Sequence, residues 1–553
     1  MIAEAPSVPR RRRRGAALAA VAALLAAGVA PAQESPAQVS PAEEPAAQEA
    51  RAIPTHPSRL RLPAREIRVP RAEPATHRLS TGTRVVIVED HTLPLVDVTV
   101  ALLGGAFLDP PGKPGLAELT GAMVRRGGTA KRSPDDFDEA VDFLGTEIDT
   151  RAGPTRAGAS LDCLTETLEE SLALFFEMLG HPGFETGRLE GIESNLLAGF
   201  LARNDDPIAV MEREWSWLLV GTEHHLGRQL TGADLAAIER KDLVEFHGRY
   251  WRPERAVLAV SGDVRAERVL PLLEAGIARW RESLPPEGAA PPWPPPGLPR
   301  EAAPGIYLAG HVSGQDSGQA SGQDSSQRSS QASPQAKVSV GHGLEPIRDW
   351  LSRDAAALEA ANEILGGTRG QMSRINGRLR GQGLVYRALS ELDTGVYEPG
   401  SFRIFLDASP ESVLGAVETC LAELDRLIST GVAAAELDAV REELLSGLTL
   451  RFDTAQETAG YFAEDLLLGR PHEYWYGYEK RLLALEPRDL QAAAARHLDP
   501  EKLKVLVVGG EESPAPSGAR DPRLTRWLGR PHRLPARDPV TLEPLAAPAR
   551  AGC

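Results

Sequence analysis

Cysteine is scarce: Cys163, Cys420 and Cys553 are the only ones in 553 residues. Three scattered thiols cannot build a disulfide framework or a cysteine-rich zinc site. Positive charge is also in deficit, with Lys+Arg 61 against Asp+Glu 77 and a net charge of −16. An acidic chain without a basic stripe is a poor fit to nucleic acid, whose affinity comes mainly from neutralised phosphates. No apolar run reaches the roughly 20 residues of a membrane-spanning helix. Catalytic signatures are missing too. There is no GxSxG, no Walker-type GxxxxGK[ST] and no Rossmann glycine pattern. The 12 histidines form no HxxxH, HxH, HxxEH or HExxH pair. His224 and His225 are adjacent, and neighbours in sequence point apart on most backbones, so they are expected to be loop residues. His247 and His497 sit in similar helices at non-equivalent positions. What remains is a globular composition, 42% apolar and 25% charged, in a chain long enough for at least two domains.

The first 32 residues read as an address. Arg10 to Arg14 form a basic block, Gly15 to Ala30 an apolar Ala-rich run, and Ala30-Pro31-Ala32 a small-residue cleavage pattern. This is the layout of a secretory signal peptide. An uncleaved anchor is the competing reading, and the short core favours cleavage. The arginines suit twin-arginine export as well as the general route. Export places the mature chain in the periplasm or cell envelope. Residues 33–75, rich in Pro, Ala and Glu, read as a disordered tether.

The chain repeats itself. LAAIERKDLVEFHGRYWRPERAVLAVSGD from Leu235 aligns without gaps to LLALEPRDLQAAAARHLDPEKLKVLVVGG from Leu482, at an offset of 247. Leu235 meets Leu482, Glu239 meets Glu486, Asp242 meets Asp489, Pro253 meets Pro500 and Gly262 meets Gly509. Each copy predicts a helix stopped by proline, then an apolar strand ending at glycine. VDVTV after Pro94 resembles AKVSV after Pro334, and GGT recurs at Gly127 and Gly366. Three matches in one order predict two tandem homologous α+β domains, 77–265 and 303–512, each a mostly antiparallel sheet packed by helices. Strands such as TRVVIVED and PLVDVTVALLGG come first and are expected to pair. Helices are expected at Leu116–Arg126, Pro134–Leu144, Leu164–Leu179 and Leu189–Ala202. Residues 281–302 form a proline-rich linker. Residues 313–333, of Ser/Gln/Gly composition, read as a disordered insertion extending a hairpin. Residues 513–553 read as a poorly ordered Pro- and Arg-rich tail.

The duplicated units, the RPERAVLAVSGD ending and the segments ANEILGG, SRINGRLR and GLVY together resemble the pitrilysin/insulinase metallopeptidase family, in its bacterial processing-peptidase-like branch. The resemblance runs from about Thr76 to Gly510 and implies the processing-peptidase-like metallohydrolase fold. In that family two such domains form half a clamshell, and two halves close around an extended peptide that zinc-bound water hydrolyses. Active members carry G-[LI]-A-H-F-L-E-H-M, whose two histidines at i and i+4 hold zinc beside a glutamate base. Here the segment reads GLAELTGAM, Gly115 to Met123. Glu118 and Ala122 stand at the histidine positions and Gly121 at the base. The third-ligand position falls on Glu193 in GIESNLLAGF. One or two carboxylates without imidazole make a weak zinc site. The expectation is therefore no metal and no cofactor in this chain, with zinc in a partner.

The resemblance also carries an arginine and a tyrosine that hydrogen-bond the scissile carbonyl, an oxyanion-type clamp. They map to Arg380 and Tyr386 in SRINGRLRGQGLVY, six positions apart where the family usually has seven. Their expected role is in trans, at the partner's zinc. A peptide-binding edge strand maps to GTEIDTRA, giving Thr146, Glu147, Ile148, Asp149 and Thr150. The leading reading is an exported, non-catalytic subunit that pairs with a zinc-bearing homologue and binds unfolded peptide. A scaffold or peptide-binding module is the alternative, and an autonomous hydrolase with a rebuilt site the third.

Overall fold

The computed structural model describes residues 74–286, 288, 293, 299–310, 335–367, 373–509 and 520–545. The expected signal peptide, nearly all of the tether, and the insertion 313–333 lie outside the described residues. Everything described falls in one unit, Glu66–Cys553.

Two six-stranded sheets carry the architecture. The first holds β1 (Ala75–Arg78), β2 (Arg84–Glu89), β3 (Leu95–Leu103), β4 (Glu147–Ala152), β5 (Arg156–Leu164) and β6 (Val257–Gly262), in the order β1-β2-β6-β3-β5-β4. The second holds β7 (Gly305–Ala309), β8 (Ala336–Leu344), β9 (Val385–Asp393), β10 (Gly400–Ala408), β11 (Lys504–Val508) and β12 (His532–Leu534), in the order β12-β7-β11-β8-β10-β9. Helices of the first half are α1 (Leu116–Arg126), α2 (Pro134–Phe143), α3 (Leu168–Gly180), α4 (Thr186–Ala202), α5 (Pro207–Val220), α6 (Gly232–Ala237), α7 (Arg240–Tyr250) and α8 (Ala266–Glu282). Those of the second are α9 (Arg353–Gly366), α10 (Arg374–Gly381), α11 (Val413–Thr430), α12 (Ala434–Arg451), α13 (Ala455–Leu468), α14 (Glu473–Tyr476), α15 (Tyr478–Leu483), α16 (Pro487–His497) and α17 (Pro522–Leu528).

The repeated segment forms α7 and β6 in one half, α16 and β11 in the other. In both, a glutamate N-cap and an aspartate three residues on close a capping box, Glu239 with Asp242 and Glu486 with Asp489. The sheets are mixed, with mostly antiparallel pairs. One expectation fails: β2 and β3 do not pair. β6 lies between them, parallel to β2 and antiparallel to β3. β7 and β8 are likewise separated by β11, so no hairpin joins them. Sequence proximity favours a hairpin, but the buried apolar run of the repeat takes the central place.

That run is buried on both faces because the halves exchange helices. β3 and β5 alternate between buried and partly exposed residues, as one-sided strands do. β6 and β11 are buried almost throughout. α13 of the second half packs on β6, β2 and β3, and α5 of the first half packs on β8, β11 and β7. On α5, Val210, Met211 and Leu218 bury against Tyr307, Leu506 and Val508. Each such side chain contributes about 2 kcal/mol of hydrophobic stabilisation. A bidentate pair from Arg403 on β10 to Glu212 on α5, at 2.7 and 2.8 Å, fixes one crossing. A single ion pair from Arg156 on β5 to Glu464 on α13 joins the other.

The segment after residue 512 is not a poorly ordered tail over residues 520–545. Asp521 caps α17 with Pro522 in its first turn, and Leu524, Trp527 and Leu528 are buried. β12 then pairs in parallel with β7. Arg537 donates to Glu214 on α5 at 3.0 Å.

Where α13 meets the first sheet, Asp97 on β3 and Asp162 on β5 are cross-strand partners. The Gln456 amide reaches both carboxylates, at 3.2 and 3.4 Å. Burial and the neighbouring Asp97 carboxylate push the Asp162 carboxyl up to about 7. A raised folded-state pKa gives stability that is fully present below the ordinary carboxylate pKa and is lost as pH rises through about 7. Asp162→Asn is therefore expected to flatten the thermal-stability profile between about pH 4 and pH 7. Melting curves across that window check it, and an unchanged slope would reject the assignment.

Candidate functional site

α1 carries the positions where active relatives of the resembled family would hold zinc. Its N-terminus is fixed by Asp109, whose carboxylate accepts from Gly115 N at 2.7 Å and Ala117 N at 2.8 Å. Burial raises that carboxyl to about 6 despite both bonds. Leu116, Ala117, Leu119, Thr120, Met123 and Val124 turn inward, while Glu118 faces outward. Desolvation raises the Glu118 carboxyl above its usual range. Glu193, on α4, is half-buried, and desolvation followed by the neighbouring Glu190 raises its carboxyl too.

Gly121 does not face open space. A Cβ built there would lie 2.6 Å from Ala152 N and 2.9 Å from Arg151 C, the backbone of β4. The Thr150 hydroxyl donates to Gly121 O at 2.6 Å, locking helix to strand. The place of the base is thus filled by a backbone-to-backbone contact. Ala122 offers no ligand atom. Two carboxylates and no imidazole do not fit a catalytic zinc, and no step through such an ion can be written for α1.

β4 is the sheet edge, paired only with β5. Ile148 and Thr150 point into the core, while Glu147 and Asp149 are exposed. Thr146 is buried before the strand, 2.7 Å from the Ser171 hydroxyl. Arg125 on α1 already donates to the Ile148 carbonyl at 3.0 Å and pairs with Asp138 at 2.6 Å. The edge therefore keeps free backbone only in part.

Arg380 and Tyr386 lie on either side of the turn from α10 to β9, the edge strand of the second sheet. Arg380 is exposed and Tyr386 is 79% exposed. The register shifts here: Arg387 opposes Asp407 but Val385 opposes Ala408. Tyr386 is the extra residue of a β-bulge, a device that re-aims a side chain. Among the described residues neither side chain has a hydrogen bond or ion pair.

Sequence reasoning missed one cluster. His224 and His225 are in a loop, as expected, but they are buried and do not point apart. Their ring centroids are 4.3 Å apart with planes inclined by 31°. His225 Nε2 lies 3.1 Å from both carboxylate oxygens of Glu398. Among the described residues, these three alone bring three His, Cys, Asp or Glu donor atoms within 4.8 Å of one another. The partners are 173 residues apart, so no local spacing could reveal them.

Comparison with known proteins supplies the decisive match. Residues 237–444, from the end of α6 into α12, match the family described as the Peptidase M16 inactive domain. Over this span the chain is similar to the M16 family. M16 is the family to which the pitrilysin/insulinase resemblance points, and the matched span is similar to its inactive domain. Over 164 residues the chain is 26% identical to an uncharacterised zinc protease of Mycobacterium leprae, covering 29% of this chain and 37% of that protein. Over 209 residues it is 22% identical to the non-peptidase homolog YmxG of Helicobacter pylori, covering 37% of this chain and 48% of that protein. The alignments thus span less than half of either curated relative. The solved peptidase M16 inactive domain of Pseudomonas fluorescens matches with a TM-score of 0.66 at 23% identity, covering 80% of this chain and 100% of that one. That likeness establishes the M16 fold. Among the described residues no helix is long and apolar enough to cross a membrane.

Proposed function

We propose that the chain is an exported, non-catalytic M16 subunit that pairs with a zinc-bearing homologue to form a peptidase chamber. One observation carries this reading. The zinc helix has been closed by packing at Gly121, whereas Arg380 and Tyr386 stand exposed with no hydrogen bond or ion pair among the described residues. A buried arginine or a satisfied tyrosine would mark a structural role, whereas two exposed donors beside an edge-strand bulge are suited to a carbonyl supplied from outside. In this reading the partner brings zinc and the base. This chain contributes half the chamber, the Arg380 and Tyr386 donors, and the β4 edge around Glu147 and Asp149 as a docking line for unfolded peptide. The N-terminal basic block, apolar run and small-residue pattern support delivery to the periplasm or envelope.

A scaffold role is favoured by a different observation, the occupation of the Ile148 carbonyl by Arg125, which takes up part of the β4 edge. The relative named a non-peptidase homolog is compatible with it. Mixing the mature chain with a zinc-bearing M16 homologue tests the leading reading. The expected result is a complex on size exclusion and peptidase activity well above that of either chain. Full activity from the homologue alone, with no complex, rejects it.

A further inference from the structure

We propose that His224, His225 and Glu398 form a site for a single divalent transition-metal ion of the zinc class, clasping the two halves of the chain. The two histidines lie between α5 and α6 in the first half. Glu398 lies in the turn between β9 and β10 in the second. Each histidine is only 7% exposed, and the Glu398 side chain keeps 22% exposure. Two imidazoles and one carboxylate are a donor set that suits zinc, with water completing four-coordination. The same set excludes magnesium and calcium, which take oxygen ligands.

The spacing agrees. Zinc bonds of about 2.0–2.1 Å at tetrahedral angles place neighbouring donor atoms roughly 3.3 Å apart. His225 Nε2 and the Glu398 oxygens are at 3.1 Å. The third donor, from His224, lies within 4.8 Å and needs only a small side-chain shift. A plain ion pair between the halves would account for His225 and Glu398. It leaves unexplained why a second imidazole is buried beside the first. The hydrogen bond recorded for the His224 ring is a long one, from Leu226 N to Nδ1 at 3.3 Å. Coordination displaces it at little cost. Arg228 is the cation nearby, and its guanidinium is turned to the Ala106 and Glu223 carbonyls at 3.4 and 3.3 Å. Phe107 lies 6.1 Å from the His225 ring, and Trp293 and Tyr397 continue an aromatic row from it. Apolar neighbours of this kind limit solvent access and strengthen binding.

This ion would be structural, remote in role from the missing zinc of α1. The distinction matters, because zinc found by metal analysis would otherwise read as revived catalysis. The test uses the mature chain without a polyhistidine tag, stripped with chelator and titrated with zinc by calorimetry and with cobalt by absorption spectroscopy. The expected result is one ion per chain, a cobalt spectrum of low-coordinate nitrogen and oxygen ligation, and a zinc-dependent rise in melting temperature. His224→Ala, His225→Ala and Glu398→Gln each weaken binding on the order of 100-fold. Glu118→Gln and Glu193→Gln leave it unchanged. If a variant does not fold, zinc protection of His224 and His225 from carbethoxylation in the wild-type chain, read by mass spectrometry, decides instead. No uptake, uptake that survives all three ligand variants, or absence of protection overturns the site. Loss of uptake in Glu118→Gln or Glu193→Gln would move the ion to α1 and sink the non-catalytic reading as well.

Discussion

In a complex with a zinc-bearing M16 homologue, Arg380→Ala is expected to lower kcat by about 10²–10³-fold with little change in KM. A donor aimed at a developing oxyanion acts in the transition state more than in the ground state, so its loss appears in kcat. Tyr386→Phe removes a single hydroxyl and is expected to cost on the order of 10²-fold by the same argument. Neither change should disturb the fold. Both side chains are exposed and have no partner among the described residues, so stability should move by no more than about 0.5 kcal/mol. That separation makes the experiment diagnostic. Steady-state kinetics and thermal melts on the same preparations read both quantities. Full activity in both variants, with the complex intact, would transfer the chain to the scaffold reading. The six-position spacing adds a second arm: a one-residue insertion after Gly381 that raises activity would show that the shorter turn is a compromise.

The repeat at an offset of 247 made the two halves visible, because it aligned two capped helices and two apolar strands. It could not show that β6 separates β2 from β3. Periodicity states which face of a strand is apolar, and leaves open which element covers it. The clue was present in Val257–Val260 and Lys504–Val508, runs without alternation, which signal burial on both faces. The exchange of α5 and α13 is the physical reason for those runs, and it depends on contacts far apart in sequence, such as Arg403 with Glu212 at a separation of 191 residues. The helix after residue 520 was legible too. Asp521 and Pro522 are a helix start, and Leu524, Trp527 and Leu528 an apolar face, but the surrounding arginines and prolines outweighed them. His224, His225 and Glu398 had no such signal, since only the fold unites a loop of one half with a turn of the other. At α1 the residues named the missing ligands directly. What they could not convey is why reverting them is not a matter of three side chains.

Gly121→Glu, the change that restores the family's base, is expected to destabilise the fold by at least about 3 kcal/mol. The first atom of the new side chain would already overlap the β4 backbone, 2.6 Å from Ala152 N. Displacing β4 also breaks the Thr150 bond to the Gly121 carbonyl and leaves that buried hydroxyl unpaired. A carboxylate forced between helix and strand adds a desolvation cost. Glu118→His is the control. Position 118 faces outward, so its melting temperature should stay close to wild type. The triple change Glu118→His, Gly121→Glu and Ala122→His should therefore rebuild the motif on paper and yield a chain that folds poorly and hydrolyses nothing. Denaturant titrations of the single variants and metal analysis of the triple one measure this. A well-folded triple variant with zinc on α1 would mean that β4 yields easily, and that the helix lost its ligands without the packing having closed over their place. A Gly121→Ala variant grades the effect, because it adds the clashing Cβ without the charge. Destabilisation there by roughly 1–3 kcal/mol would assign most of the barrier to contact with β4 and the remainder to burial of the carboxylate.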